Sequence, residues 1–483
     1  MQIPLIGAGL KSKSAVVSAQ RRLNCYLEPQ RDQDKSSIVV YGRQGLISKL
    51  DLGAQRFRGG ISLGNLLYLV QGSVFWEINN AFVNTDRNAA SRLTTTAGNT
   101  DAASNETTIV LTDGSNMYQF DTSTLVFTQV GSALFASPQT VTYQDGFYLA
   151  TFDEQGTNKK RCQISADGLT WNALDFRAID TVRGALIRTL SFNGEVHQFS
   201  DKGLEFWAFT GDPVFPFQPI RGASLPIGLA ARWSIAQGDS LFFLGRDRSG
   251  SGVQAYELAG HQIRSIGTPD WSNEINSYLT TGDAIGHFVN QDEHDYYVLH
   301  FPSAGKTWVY DAFASEVIGT PVWSEWQTNG GRYVGEYQFS LVNRAYVSDY
   351  NAGKLYLIDP MTFTDNGVTM RREVDTRHFF KDYDYVTVDE FVVDMETGVG
   401  IANGQGSDPQ VMLQISRDGG RTWGAEIWMP LGKVGEYKKR VATRRIGTAR
   451  DFVFRVAMTD PVQFVIAGMG LRASVNSRQQ AAA

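Results

Sequence analysis

A chain of 483 residues exceeds what one hydrophobic core supports, so it divides into two or more folding units. With 42% hydrophobic and 19% charged residues the chain is not disordered, and a net charge of −6 excludes a broadly basic nucleic-acid binder. That charge does not exclude a chain that surrounds DNA without gripping it. Forty-eight glycines beside 12% aromatics suit many short strands and tight turns, since glycine supplies positive φ and aromatics fill pleated faces. Met1 to Gln20 lacks the apolar core of a signal peptide, and no apolar run approaches membrane-spanning length. Cys25 and Cys162 show no zinc or C-x-x-C spacing and read as two reduced thiols of a chain folded in a cytoplasm.

Residues 1–46 carry little periodicity and form an N-terminal arm, with a solvated charged loop from Gln30 to Ser37. The arm either wraps the next domain, supplies its closing strand, or reaches a neighbouring subunit. From 47 to 365 one unit recurs: an alternating apolar strand, a Gly/Asp/Asn turn, and a second strand ending in aromatics. Leu67 to Trp76, Ile109 to Tyr118, Gly146 to Phe152, Leu190 to Trp207, Ser240 to Leu258, Tyr296 to Asp311 and Ala345 to Asp359 are its copies. Their spacing of roughly 40–55 residues is the period of a four-stranded blade, so the span predicts a β-propeller of six or seven blades. The aromatics at strand ends belong to packing between blades.

Near Pro360 the rhythm changes. Strand-like runs at Tyr385–Val388, Glu390–Val393, Val411–Ser416, Phe452–Met458 and Phe464–Ala467 predict a C-terminal β-sandwich over 366–475, followed by a frayed tail at 476–483. Phe452, Phe454, Val456 and Met458 share one face of a strand expected to be half-buried. The fold class is therefore all-β, a propeller followed by a sandwich.

The sharpest motif is Ser416-Arg417-Asp418-Gly419-Gly420-Arg421-Thr422-Trp423, a full S-x-D-x-G-x-T-W Asp-box; Ser165 to Trp171 is a version one residue shorter. Its chemistry is that of a hairpin turn: Asp418 bonds nearby backbone N–H groups, Gly420 takes the strained torsion, and Ser416, Thr422 and Trp423 complete and underpack the turn. Asp-boxes also occur in glycosidases, where they lie away from the catalytic centre. An Asp-box propeller glycosidase or glycan-binding protein is thus the alternative reading. No nucleophile elbow, HExxH or Walker loop is present, so no catalytic residue, cofactor or metal site is assigned. The glycine-rich stretch Gly398 to Gly406 has no lysine and no following helix, and Asp292-Glu293-His294-Asp295 reads as a solvated turn. Lys433, Lys438, Lys439, Arg440, Arg444, Arg445 and Arg450 fall within eighteen residues, opposed only by Glu436. Alternation from Tyr437 to Arg445 puts several on one exposed face, a candidate contact for an acidic partner or DNA phosphate.

The order of several short stretches resembles the tail hub, or packaged-DNA stabilisation, proteins of short-tailed bacteriophages. They are Arg22 to Glu28, Tyr41 to Leu46, Thr307 to Asp311 with Trp323 to Trp326, Tyr346 to Asp349 leading to Gly353 to Tyr356, and Arg444 to Asp451 with Arg455 and Asp460 to Val462. Gln44 departs from the pattern, standing where a proline is expected. The resemblance implies a non-enzymatic virion tail protein, made and assembled in the host cytoplasm. It implies a self-associated ring, six-fold in symmetry, below the portal and its adaptor ring. It further implies that the ring anchors a tail needle, tailspike or tail fibre and passes genomic double-stranded DNA without reading its sequence or inserting into a membrane.

Overall fold

The computed structural model describes residues 2–3, 9–30, 36–131, 137–153, 158–246, 252–382 and 384–476. Most of the loop predicted at 30–37 and nearly all of the tail predicted at 476–483 lie outside these residues. The fold is all-β, at 53% strand against 4% helix. The helices Pro269–Ile275 and Ala312–Ile318 have seven residues each.

Seven four-strand blades follow one another, so the propeller has seven blades. Their innermost strands are Phe57–Leu63, Asp101–Ser104, Pro138–Gln144, Leu186–Phe192, the paired short strands Gly228–Leu229 and Ala236–Gln237, Ile285–Gln291 and Gly335–Leu341. Inner strands touch from blade to blade, blade four meeting blade five through its second strand Glu195–Ser200 against Gly228–Leu229, and the seventh inner strand touches the first, which closes the ring. The inner hairpins of blades three, four, six and seven turn in two residues, both at positive φ. Asn193-Gly194 does this with φ of 50° and 79°, and Asp292-Glu293 with 51° and 66°.

The second strand of each blade is buried on both faces, which explains its unbroken apolar run. In Leu66–Gln71, Leu67 and Leu69 join the core shared with blade seven, while Tyr68 and Val70 join the core shared with blade two. The same division repeats around the ring, with Phe243 facing blade four and Phe242 and Leu244 facing blade six. The aromatics therefore lie between blades, as their strand-end positions predict.

The chain enters and leaves the propeller at blade seven. Gly335–Leu341, Arg344–Asp349 and Lys354–Asp359 supply three strands, and Gly45–Asp51 pairs antiparallel with the last of them as the fourth. The segment before it belongs elsewhere: Cys25–Pro29 and Ile38–Gly42 extend a sandwich sheet in the order Cys25–Pro29, Ile38–Gly42, Val465–Asn476, Tyr385–Met395, Val441–Ala449. The second sandwich sheet runs Arg22–Leu23, Arg372–Asp375, Val453–Met458, Gln410–Ser416, Ile427–Pro430. Leu23 also pairs with Glu325 on the outer strand of blade six, so propeller and sandwich share one nine-stranded sheet.

Phe452, Phe454, Val456 and Met458 all enter the sandwich core. The strand is not half-buried, however: Val453 and Ala457, which point the other way, are buried too. Chain near Ala19 lies over that outer face, close to Gly420 and Val453.

Candidate partner interface

The seven basic residues gather on one rim of the sandwich. Val441–Ala449 is the edge strand of its sheet, and the loop holding Lys433, Lys438, Lys439 and Arg440 leads into it. All seven side chains are exposed. Simple alternation does not account for them, because residues 437–440 precede the strand and Arg444 and Arg445 are both exposed neighbours. A bulge does: the register slips between Val388 and Glu390, and Arg445 adopts φ of 60°.

The opposing carboxylate also differs from the one next door in sequence. Glu436 accepts from the backbone N–H of Lys433 at 3.1 Å. Glu390 on the adjacent strand instead meets Arg444 at 3.2 Å and Arg440 at 3.1 Å. The Arg444 hydrogen bond, with the guanidinium charges of Arg440, Arg444 and Arg472, holds the Glu390 carboxyl below its ordinary range. Arg450 lies 4.6 Å over the Tyr385 ring. One carboxylate thus serves two arginines, and the rim keeps an excess of positive charge. Charge on an edge strand also blocks indiscriminate strand pairing. The glycine-rich stretch supports this rim: Ile401 N–H donates to Gly406 O at 2.9 Å, and Gly435 N–H to Gly398 O at 3.2 Å.

The Asp-box is a turn between Gln410–Ser416 and Ile427–Pro430. Thr422 donates to the Asp418 carboxylate through its N–H at 2.9 Å and its hydroxyl at 2.6 Å, and Gly420 N–H donates to Ser416 Oγ at 2.8 Å. These donors hold the Asp418 carboxyl well below the usual carboxylate range. The shorter version repeats the pattern, with Thr170 donating to Asp167 at 2.7 and 2.8 Å. The tryptophans diverge. Trp171 is buried and donates to Gly168 O at 3.0 Å, whereas Trp423 is half-buried with Arg455 stacked 4.0 Å above its ring.

That stacking belongs to the joint between the domains, whose residues sequence reasoning missed as a site. Arg21 meets Glu325 at 2.8 Å, Lys306 meets Glu325 at 2.6 Å, and Arg455 meets Asp375 at 2.7 Å. Arg43 is wholly buried, pairs with Asp365 at 2.6 and 2.9 Å, and lies 4.7 Å over Tyr333. Gln44 donates through its side chain to Asp292 at 2.5 Å, a bond a proline there would lack. His294 is not on a solvated turn: its side chain is 0% exposed, wedged between Asp311 and Glu28. Only Asp292 and Glu293 make the turn; one residue on, the strand dives under the sandwich. No group of side chains able to hold a metal occurs among the described residues. Both thiols are buried, and desolvation pushes Cys25 up to about 12 and Cys162 up to about 11. On the propeller axis a cavity of about 220 Å3 is lined by Asp101, Arg188, Trp233, His287 and Tyr337 among others.

A closed propeller sharing a sheet with a sandwich defines a two-module β protein, and both modules match phage families. Residues 1–363 match the model described as the β-propeller of bacteriophage P22 Gp10, and residues 371–474 the model described as its β-sandwich. The chain belongs to the bacteriophage P22 Gp10 family, and is a phage structural protein. Among solved structures, YCF48 from Cyanidioschyzon merolae is 12% identical with a TM-score of 0.40, covering 66% of this chain and 99% of its own. A streptogramin B lyase is 10% identical at 0.41, covering 72% and 99%. The Cps50 (Swd1) β-propeller domain of Myceliophteria thermophila is 9% identical at 0.41, covering 65% and 98%. These likenesses carry no functional information. No curated protein matches the chain.

Proposed function

We propose that the chain is a subunit of a phage tail hub, a ring below the portal and adaptor. The ring closes the head, retains packaged DNA, conducts it during ejection and anchors a tail needle, tailspike or fibre. The observation that carries this reading is the family match over both domains, 1–363 and 371–474. The propeller's own axial cavity is small, about 220 Å3. That is far too little for a duplex and supports a DNA passage formed between subunits. A hub subunit needs stiff modules, and the shared nine-stranded sheet supplies one rigid joint.

In this reading the rim of Lys433, Lys438, Lys439, Arg440, Arg444, Arg445 and Arg450 docks an acidic partner ring or borders passing DNA. Phosphate contact of this kind is charge-driven and sequence-independent. Quantitative mass spectrometry of purified particles tests the hub assignment. Several stoichiometric copies per particle are expected, and absence from the particle overturns it.

A further inference from the structure

The joint between propeller and sandwich contains a histidine held between two carboxylates, one from each side of the joint. His294 opens the second strand of blade six, His294–Phe301, and its ring is completely buried. Nδ1 lies 2.7 Å from Asp311 Oδ2, and Nε2 lies 2.9 Å from Glu28 Oε2. Glu28 sits on Cys25–Pro29, a strand of the sandwich sheet. Asp311 caps Ala312–Ile318 by accepting the Ala314 N–H at 2.9 Å, and Ala314 and Ile318 of that helix pack into the sandwich core. We propose that the proton on His294 is a clamp: it ties the sandwich to blade six through both carboxylates, and its loss loosens the joint.

The neighbours favour that charge. Tyr296 stacks on His294 at 5.5 Å, Tyr26 and Phe313 meet it edge-on at 5.0 and 5.1 Å, and Tyr41 stacks behind Tyr26 at 5.6 Å. Besides Glu28 and Asp311, the charged groups facing this pocket are Asp292 on the hairpin turn, which burdens Tyr26 and Tyr296, and Arg22, which is attracted by Asp311. Burial opposes the imidazolium, but Asp311 and Glu28 outweigh it and raise its pKa above the ordinary 6.5. A neutral ring carries one proton and can donate to only one of the two carboxylates, leaving the other without its hydrogen bond. Glu28 and Asp311 would then face one another with Arg22 as the nearby cation. The clamp's contribution is complete below pH 6.5, where folded and unfolded chains both hold the proton, and is lost as pH rises through the raised native value.

The test is hydrogen exchange of the full chain from about pH 5.5 to about 9, corrected for the intrinsic rate, read at residues 25–29 and 312–318. Wild type is expected to lose protection there at high pH. His294→Gln should show a flat profile, and Glu28→Gln should move the loss to lower pH. Identical profiles for wild type and His294→Gln overturn the proposal. If His294→Gln does not fold, Glu28→Gln decides, since Glu28 is 29% exposed and tolerates the change; an unmoved transition overturns the clamp.

Discussion

Arginines in two regions of this molecule meet opposite fates. At the joint, Arg43 and Arg372 are fully buried, and surrounding chain accepts from both guanidinium groups, leaving only the Arg372 Nε without a hydrogen-bond partner. Arg43 has a bidentate carboxylate, which keeps its charge secure despite desolvation. Arg372 has only the carbonyls of Phe363, Val462 and Asp460, at 2.7, 2.7 and 3.2 Å, and burial lowers it to about 10. At the rim, Arg444 and Arg440 are 76% and 61% exposed and share one glutamate. Buried arginines are bound by the fold and serve it; exposed arginines that the fold leaves half-neutralised are available to something outside it. Burial and partner count separate the two roles, while residue type does not.

That contrast can be broken by substitution. Arg43→Ala strands the Asp365 carboxylate in the interior and should cost about 3–5 kcal/mol. A denaturant midpoint within experimental error of wild type would dissolve the distinction. Gly420→Ala forces φ of 81° on an L-residue and sets its Cβ 2.2 Å from that of Ala19. About 2 kcal/mol should be lost, visible as a lower melting temperature. Asp418→Ala removes the turn's acceptor for a smaller loss, about 1 kcal/mol because the turn is partly solvated. Native hydrogen bonds depress the Asp418 carboxyl, so its contribution is present above the unfolded value of 3.8 and fades as pH falls toward the lower native one. The Asp418→Ala variant should accordingly show a shallower acid limb in a pH titration of stability. Arg444→Glu with Arg445→Glu should move stability least, within about 0.5 kcal/mol, because both side chains are exposed. Infectious titre or genome retention should nevertheless fall, and unchanged values for both would remove the rim from function.

Much of the propeller was legible because its signal is local. Leu67-Tyr68-Leu69-Val70 must be a doubly buried strand, and Asn193-Gly194 must be a two-residue turn, whatever surrounds them. The Asp-box was legible for the same reason: its donors and acceptors lie within seven residues. The joint was not, because its bonds span hundreds of positions, as with Arg43 to Asp365 or His294 to Glu28. Next to its acidic neighbours His294 looked like part of a turn, and only the strand crossing above it, Cys25–Pro29, takes it out of water.

By itself the sequence determined the all-β class, the blade period, the change of domain past Pro360 and the clustering of positive charge, all set by short-range patterning and composition. Tertiary structure alone decided that the blades number seven, since ring closure depends on Gly45–Asp51 reaching Lys354–Asp359 across the whole propeller. It also decided that Arg22–Leu23, Cys25–Pro29 and Ile38–Gly42 join the sandwich, that Glu390 and not Glu436 opposes Arg440 and Arg444, and that His294 is buried between two domains. Each of these depends on strand pairing between distant segments, and pairing partners are chosen by the fit of whole sheets, which no local window contains.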